Sequence, residues 1–222
     1  MNFLAHSLRF LDGDPTFAVA TGIPDFLTIA EKGVRLRTVD LRPFLDSQET
    51  ALQQVAAGAH QHLIDDRRFH SSACFLSTSS RLRKLFKPYV PDDGTPRASF
   101  LGHLIAELLL DAELASLFPG KMEQYYKVLG SADFTTIEQS VCRLSRKPTQ
   151  RLAKMLELFC DARVMFDYAD DARLFYRVEQ VMRRVGFPLT DTKTGDVFAE
   201  ARLIVREQAA ELYAAGTVEV TS

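Results

Sequence analysis

The segment "FLGHLIAELLLDAELASLF", residues 100–118, constrains the fold more than any other stretch of the chain. It is the most apolar region, and its helical periodicity predicts a core helix over about 97–117. His103, Glu107, Asp111 and Glu113 interrupt it, so it cannot comfortably span a bilayer. A helix this apolar must be covered by other elements, and the rest of the sequence offers helices to cover it. Long period-2 alternation is missing, as are Asn-Gly or Asp-Gly hairpins between β-branched runs. The expected architecture is all-α, a single compact domain over 1–222 with seven to nine helices.

The elements follow from periodicity and punctuation. A first helix is expected near 2–11 and a short one from Pro24. A longer one runs from about Ser47 to His70, with a continuation through "SSACFLSTSSRLRKLF". "KPYVPDDGTPRAS" is a loop whose Thr95-Pro96 pair supplies an N-cap and a first-turn proline for the central helix. Beyond the "PGK" break, Thr135 and Glu138 form a capping box, another helix opens at Pro148, and an amphipathic helix closes the chain at about 197–215.

Lys plus Arg (27) nearly balances Asp plus Glu (29), so there is no basic excess of the kind that marks nucleic-acid binding. Cys74, Cys142 and Cys160 are far apart and form neither a disulfide framework nor a thiolate zinc motif. The opening "MNFLAHSLRFLDGD" lacks the basic start and apolar run of a secretory signal. A reduced, cytoplasmic protein is expected.

Two polar ladders stand out. His62, Asp66 and His70 step by four within "HQHLIDDRRFH", and His103, Glu107 and Asp111 repeat that spacing on the apolar helix. Four-residue steps place each set on one helix face. A single ladder is most often a solvated stripe, but the second lies among Leu104, Ile105, Leu108, Leu109 and Leu110 and must be at least partly buried. Two such faces packed together would gather three histidines and three carboxylates. A divalent cation offsets the cost of burying them, and a satisfied hydrogen-bond network is the competing arrangement. Mixed imidazole and carboxylate donors suit Mn, Fe or Zn better than Ca or Mg. Taken alone, His6 reads as a core histidine and Asp25 as a charge at a helix N-terminus.

"MNFLAH", "TGIPDF" and "AGAHQHLIDD" together resemble the acyl carrier protein phosphodiesterases, relatives of the HD-type metal-dependent phosphohydrolases. The family's Met-Asn-(Phe/Tyr)-Leu-Ala-His opening matches residues 1–6. Its Gly-Asn-x-x-x-Asp-Phe motif is approximated around Asp25. Its Gly-x-x-x-His-x-x-Ile-Asp-x-x-Thr-Asp motif falls on His62 and Asp66. A later Asp-x-x-x-Asp-His falls on Glu107, Asp111 and Ala112. The chain departs from the pattern at Phe69-His70, Glu107 and Ala112, and His103 is an addition to it.

The resemblance implies an HD-like helical bundle that removes 4′-phosphopantetheine from holo-acyl carrier protein through a metal-activated water. It implies Asp25, His62, Asp66 and Asp111 as metal ligands, with manganese first and iron, cobalt or zinc as alternatives. His6, His70, His103 and Glu107 are the implied further catalytic or orienting groups. An acidic carrier protein calls for a basic surface, and Arg81, Arg83, Lys84 and Lys87 in "RLRKLFK" offer one. Arg143, Arg146, Lys147 and Arg151 form a second such cluster, and Arg183 with Arg184 a weaker one. Two other readings stand beside this one. One is a related phosphohydrolase acting on a small phosphoester or nucleotide, and the other is a non-enzymatic helical binding protein.

Overall fold

Asp14 accepts a hydrogen bond from the Phe17 amide and Ser72 from the Phe75 amide, and each side chain thereby starts a helix. Such capping recurs through a computed structural model that describes residues 1–91, 93, 96–189 and 195–217. Its α-helices are α1 (Phe3–Ser7), α2 (Pro15–Ala20), α3 (Ile23–Ala30), α4 (Thr38–Leu41), α5 (Thr50–Ser71), α6 (Ala73–Phe86) and α7 (Arg97–Leu117). They continue with α8 (Lys121–Ser131), α9 (Phe134–Leu144), α10 (Leu152–Ala162), α11 (Asp171–Arg184), α12 (Gly195–Arg206) and α13 (Ala209–Thr217). No strand occurs among the described residues. The chain is all-α, as its periodicity predicts.

The helices are more numerous than expected because long periodic stretches break. Ser72 takes an extended backbone and separates α6 from α5. The expected C-terminal helix divides into α12 and α13. The capping box at Thr135 is not formed: Asp133 lies closer to the helix start and accepts from the Thr136 amide at 3.0 Å. Glu138 instead accepts from the Ala153 amide at 3.0 Å, serving the first turn of α10. That helix begins at Leu152 rather than at Pro148. The central helix matches its expected span, while Thr95 lies outside the described residues.

The chain packs as two compact units. The first comprises Asn2–Arg67 and Phe118–Arg163. In it α10 packs on α3 and α9, and α2 packs on α8. Phe3 stacks on Phe26 with ring centroids 4.4 Å apart, and Phe159 meets both rings at 4.8 and 4.9 Å. Burying side chains of this size stabilises the fold by roughly 1.5–3 kcal/mol each. The trio therefore ties α1, α3 and α10 together.

The second unit comprises Met1, Arg68–Leu117 and the chain from Val164 onward. Its core is α6 against α7, with α12 packed on both. A β-carbon on Gly102 would lie 2.6 Å from the Arg83 amide nitrogen and 2.8 Å from the Ser79 carbonyl oxygen, so these two helices touch backbone to backbone. Along α7 the polar ladder descends into the core: the side chains of His103 and Glu107 are 39% and 16% exposed, and Asp111 is fully buried. No helix among the described residues is long and apolar enough to cross a membrane.

A candidate metal centre in the first unit

Thr21 ends α2, and the carbonyl groups of a helix's last turn have no partner within the helix. The Thr21 carbonyl accepts from His62 Nδ1 at 2.7 Å. A carbonyl can only accept, so Nδ1 carries a proton, and in the neutral ring the Nε2 lone pair faces away. This backbone-oriented tautomer is the arrangement common to metal-binding histidines.

His62 Nε2 points at two carboxylates, 3.8 Å from Asp25 Oδ1 and 3.5 Å from Asp66 Oδ2. The Asp25 separation is too long for a hydrogen bond, and the Asp66 separation lies at its outer limit. His6 stacks on His62 with ring centroids 4.0 Å apart, and its Nε2 lies 3.2 Å from Asp66 Oδ1. The His6 side chain is fully buried, and its Nδ1 finds no hydrogen-bond partner among the described residues. Donor atoms of His6, Asp25 and His62 all lie within 4.8 Å of one another. Asp66 borders the group through both histidines.

Each residue is delivered by a distinct piece of local packing. His6 follows Phe3 by one turn on α1, and Asp25 directly precedes Phe26 in the first turn of α3, so the aromatic trio fixes both. His62 and Asp66 occupy successive turns of α5. One turn before His62, a β-carbon on Gly58 would lie 2.5 Å from the Phe17 carbonyl oxygen and 2.7 Å from the Ala20 β-carbon. This glycine lets α5 approach α2 closely enough for His62 to reach Thr21.

The charges suit a divalent cation. Burial, together with positive charge on neighbouring His62, lowers the His6 pKa to about 3 and keeps the imidazole neutral. For His62 burial acts in the same direction, but Asp25 and Asp66 outweigh it and raise the pKa. Burial of Asp66 favours its neutral form, yet the facing imidazoles hold the carboxyl far below the usual range. Two carboxylates and two imidazoles together balance a dication. The histidines form a buried floor, while the Asp25 and Asp66 side chains are 32% and 25% exposed and open the centre to solvent.

His6 gives the chelator-treated protein a testable pH dependence. The unfolded imidazole titrates near 6.5 and the folded one near 3, so below pH 6.5 the unfolded state binds more protons. Stability associated with neutral His6 is complete above that value and is lost as the pH falls toward 3. The raised pKa of His62 acts in the opposite sense, with stability present at low pH and lost as the pH rises. Urea unfolding between pH 7 and 4.5 should show a smaller pH-dependent loss in His6→Gln than in the wild type. A parallel slope would contradict the assignment.

The remaining expected site residues are placed differently. His70, His103 and Glu107 converge in a group of their own in the second unit. Asp111, although buried, joins neither group as a convergent donor among the described residues. The donor atoms thus gather in two groups, one within each unit, where the ladders alone suggested a single pocket. Asp65 was not singled out in the sequence. It is fully buried, Arg9 Nη2 donates to its Oδ2 at 2.6 Å, and Gln61 donates to Oδ1 at 2.8 Å. It lies off the four-residue ladder of His62 and Asp66, and only the packed face shows that it meets Arg9.

Of the basic residues, Arg81 pairs with Glu207 at 3.2 Å, and Arg83, Lys84 and Lys87 are exposed. Arg143 pairs with Glu49, and Arg146 with Asp40 at 3.0 Å, so much of the second basic cluster is neutralised by its own fold. No family model, curated protein or solved structure matches this chain.

Proposed function

We propose that the chain is a metal-dependent phosphodiester hydrolase whose centre is His6, Asp25, His62 and Asp66, acting on the 4′-phosphopantetheine linkage of holo-acyl carrier protein. The observation that carries the proposal is the buried pair of stacked imidazoles facing two half-open carboxylates, with His6 Nε2 directed at Asp66 and His62 fixed by Thr21. The donor set fits Mn, Fe, Co or Zn. A cation held there supplies Lewis acidity toward a phosphoryl oxygen and lowers the pKa of water. His62 offers Nε2 because its other nitrogen is committed to the Thr21 carbonyl. His6, kept neutral by burial, offers a ring nitrogen. Asp66 remains ionised, and it lies with Asp25 on the solvent side, where a phosphodiester would enter. The carrier protein is taken from the resemblance at residues 1–6, 25, 62 and 66, and exposed Arg83, Lys84 and Lys87 suit its acidic surface.

The test is to strip the full chain with chelator, add Mn, Fe, Co or Zn, and follow the mass of holo-acyl carrier protein. Loss of the phosphopantetheine mass is expected with at least one metal. Asp25→Asn and His62→Ala should lower the rate by at least about 100-fold, beyond the loss usual for residues that only orient a ligand. A carrier protein left intact while a generic phosphodiester is cleaved would move the assignment to a different phosphoester. Inactivity on both substrates with every metal would overturn it.

A further inference from the structure

We infer that His70, His103 and Glu107 form a second divalent-cation site, contained within the second unit and suited to a first-row transition ion. Their donor atoms lie within 4.8 Å of one another. His70 Nε2 and His103 Nε2 approach the same atom, Glu107 Oε1, at 2.9 and 3.2 Å. A cation with bonds of about 2.1 Å to nitrogen and oxygen separates neighbouring donors by about 3.0 Å in octahedral and about 3.4 Å in tetrahedral coordination. The two nitrogen–oxygen separations fall in and near that range. The same oxygen also lies 3.1 Å from the Met1 nitrogen, which crowds three nitrogen groups around one carboxylate oxygen. Two imidazoles and one carboxylate are a donor set for iron, cobalt, nickel or zinc, not for calcium or magnesium.

The geometry is built rather than incidental. Phe75 meets both imidazoles edge-on, with centroids 5.0 Å from His70 and 4.9 Å from His103. Phe75 is held in turn by the cap of its helix, since its amide donates to Ser72 Oγ and that hydroxyl donates to the Phe69 carbonyl. His103 directly follows Gly102, where α6 and α7 touch backbone to backbone. His103 and Glu107 are one turn apart on α7, and His70 lies in the last turn of α5. The His70 and His103 side chains are 31% and 39% exposed, so an ion can enter from solvent, while Glu107 at 16% is more enclosed. Nothing in the centre proposed for hydrolysis uses these three residues.

The test is equilibrium dialysis of the chelator-treated full chain against Zn(II), with bound metal counted for the wild type, His103→Ala, Asp25→Asn and the double variant. Two equivalents are expected in the wild type, one in each single variant and none in the double variant. If the first-unit centre holds no metal, the wild type binds one equivalent that Asp25→Asn keeps and His103→Ala loses, so the two assignments fail separately. Glu107→Gln preserves side-chain shape and should also lose one equivalent. Visible absorption of bound Co(II) should lose one component in His103→Ala and in Glu107→Gln. A wild-type metal count and Co(II) spectrum retained in both variants would overturn the site, as would a wild type that binds no metal.

Discussion

Arg9→Ala is expected to lower the free energy of unfolding by about 3–5 kcal/mol, the usual consequence of removing one partner from a buried ion pair. Asp65 has no exposed side-chain surface, and Arg9 Nη2 approaches its Oδ2 at 2.6 Å. Burial already pushes the Asp65 carboxyl above its ordinary value, even with the guanidinium beside it. Without Arg9 the Gln61 amide remains on the other oxygen. The sign of the pH effect follows. A carboxyl whose folded pKa is raised binds its proton more tightly in the fold, so the deficit of Arg9→Ala should shrink as the pH is lowered. Asp65→Asn placed in the Arg9→Ala background should restore part of the loss at neutral pH, because an amide carries no charge to strand. Urea midpoints at pH 7 and pH 5 measure both effects. A destabilisation below about 1 kcal/mol would mean that water reaches Asp65.

Gly102→Ala is expected to destabilise the second unit by about 3 kcal/mol, the upper part of the range for overpacking. The added methyl would meet the Arg83 amide nitrogen at 2.6 Å, the Ser79 carbonyl oxygen at 2.8 Å and the Arg83 Cα at 3.0 Å. All three are backbone atoms, so no side chain can swing aside and the helices must separate. The natural control is Gly130→Ala on α8, where the nearest atom to the new methyl is Cys160 Sγ at an ordinary 3.5 Å. There the gain in helix propensity should prevail, stabilising by up to about 1 kcal/mol. Thermal unfolding of the two variants should shift in opposite directions. Equal shifts would show that contact distance at Gly102 is not what decides.

The central helix was legible to its boundaries because a strongly apolar segment with a proline before it leaves few alternatives. The break at Ser72 was harder, since α5 and α6 carry the same periodicity on both sides of a serine that can act as cap or as helix interior. At the start of α9, Asp133 and Thr135 compete for the same role, and Asp133 takes it by accepting from the Thr136 amide. Within the candidate centre, the His62–Asp66 spacing could be read directly. His6 and Asp25 entered only through resemblance, because α1, α3 and α5 converge through tertiary contacts that no local pattern encodes. Asp65 and Asp66 are one residue apart, about 100° around a helix, and that rotation separates a structural ion pair from a carboxylate of the candidate centre.

The His62–Thr21 contact makes the position of a proton depend on where a helix stops. In an uninterrupted helix the Thr21 carbonyl would accept from the amide of Asp25, the residue four positions on. The chain instead leaves α2 after Ala20 and begins α3 at Ile23. No side chain at position 21 can delete the acceptor, so substitutions there should leave the His62 tautomer unchanged as long as the bend between the two helices survives. A change that straightened the bend would release the ring without altering any residue of the candidate centre. The folding of a two-residue joint thus acts as the lock on the chemistry of a histidine forty-one positions away.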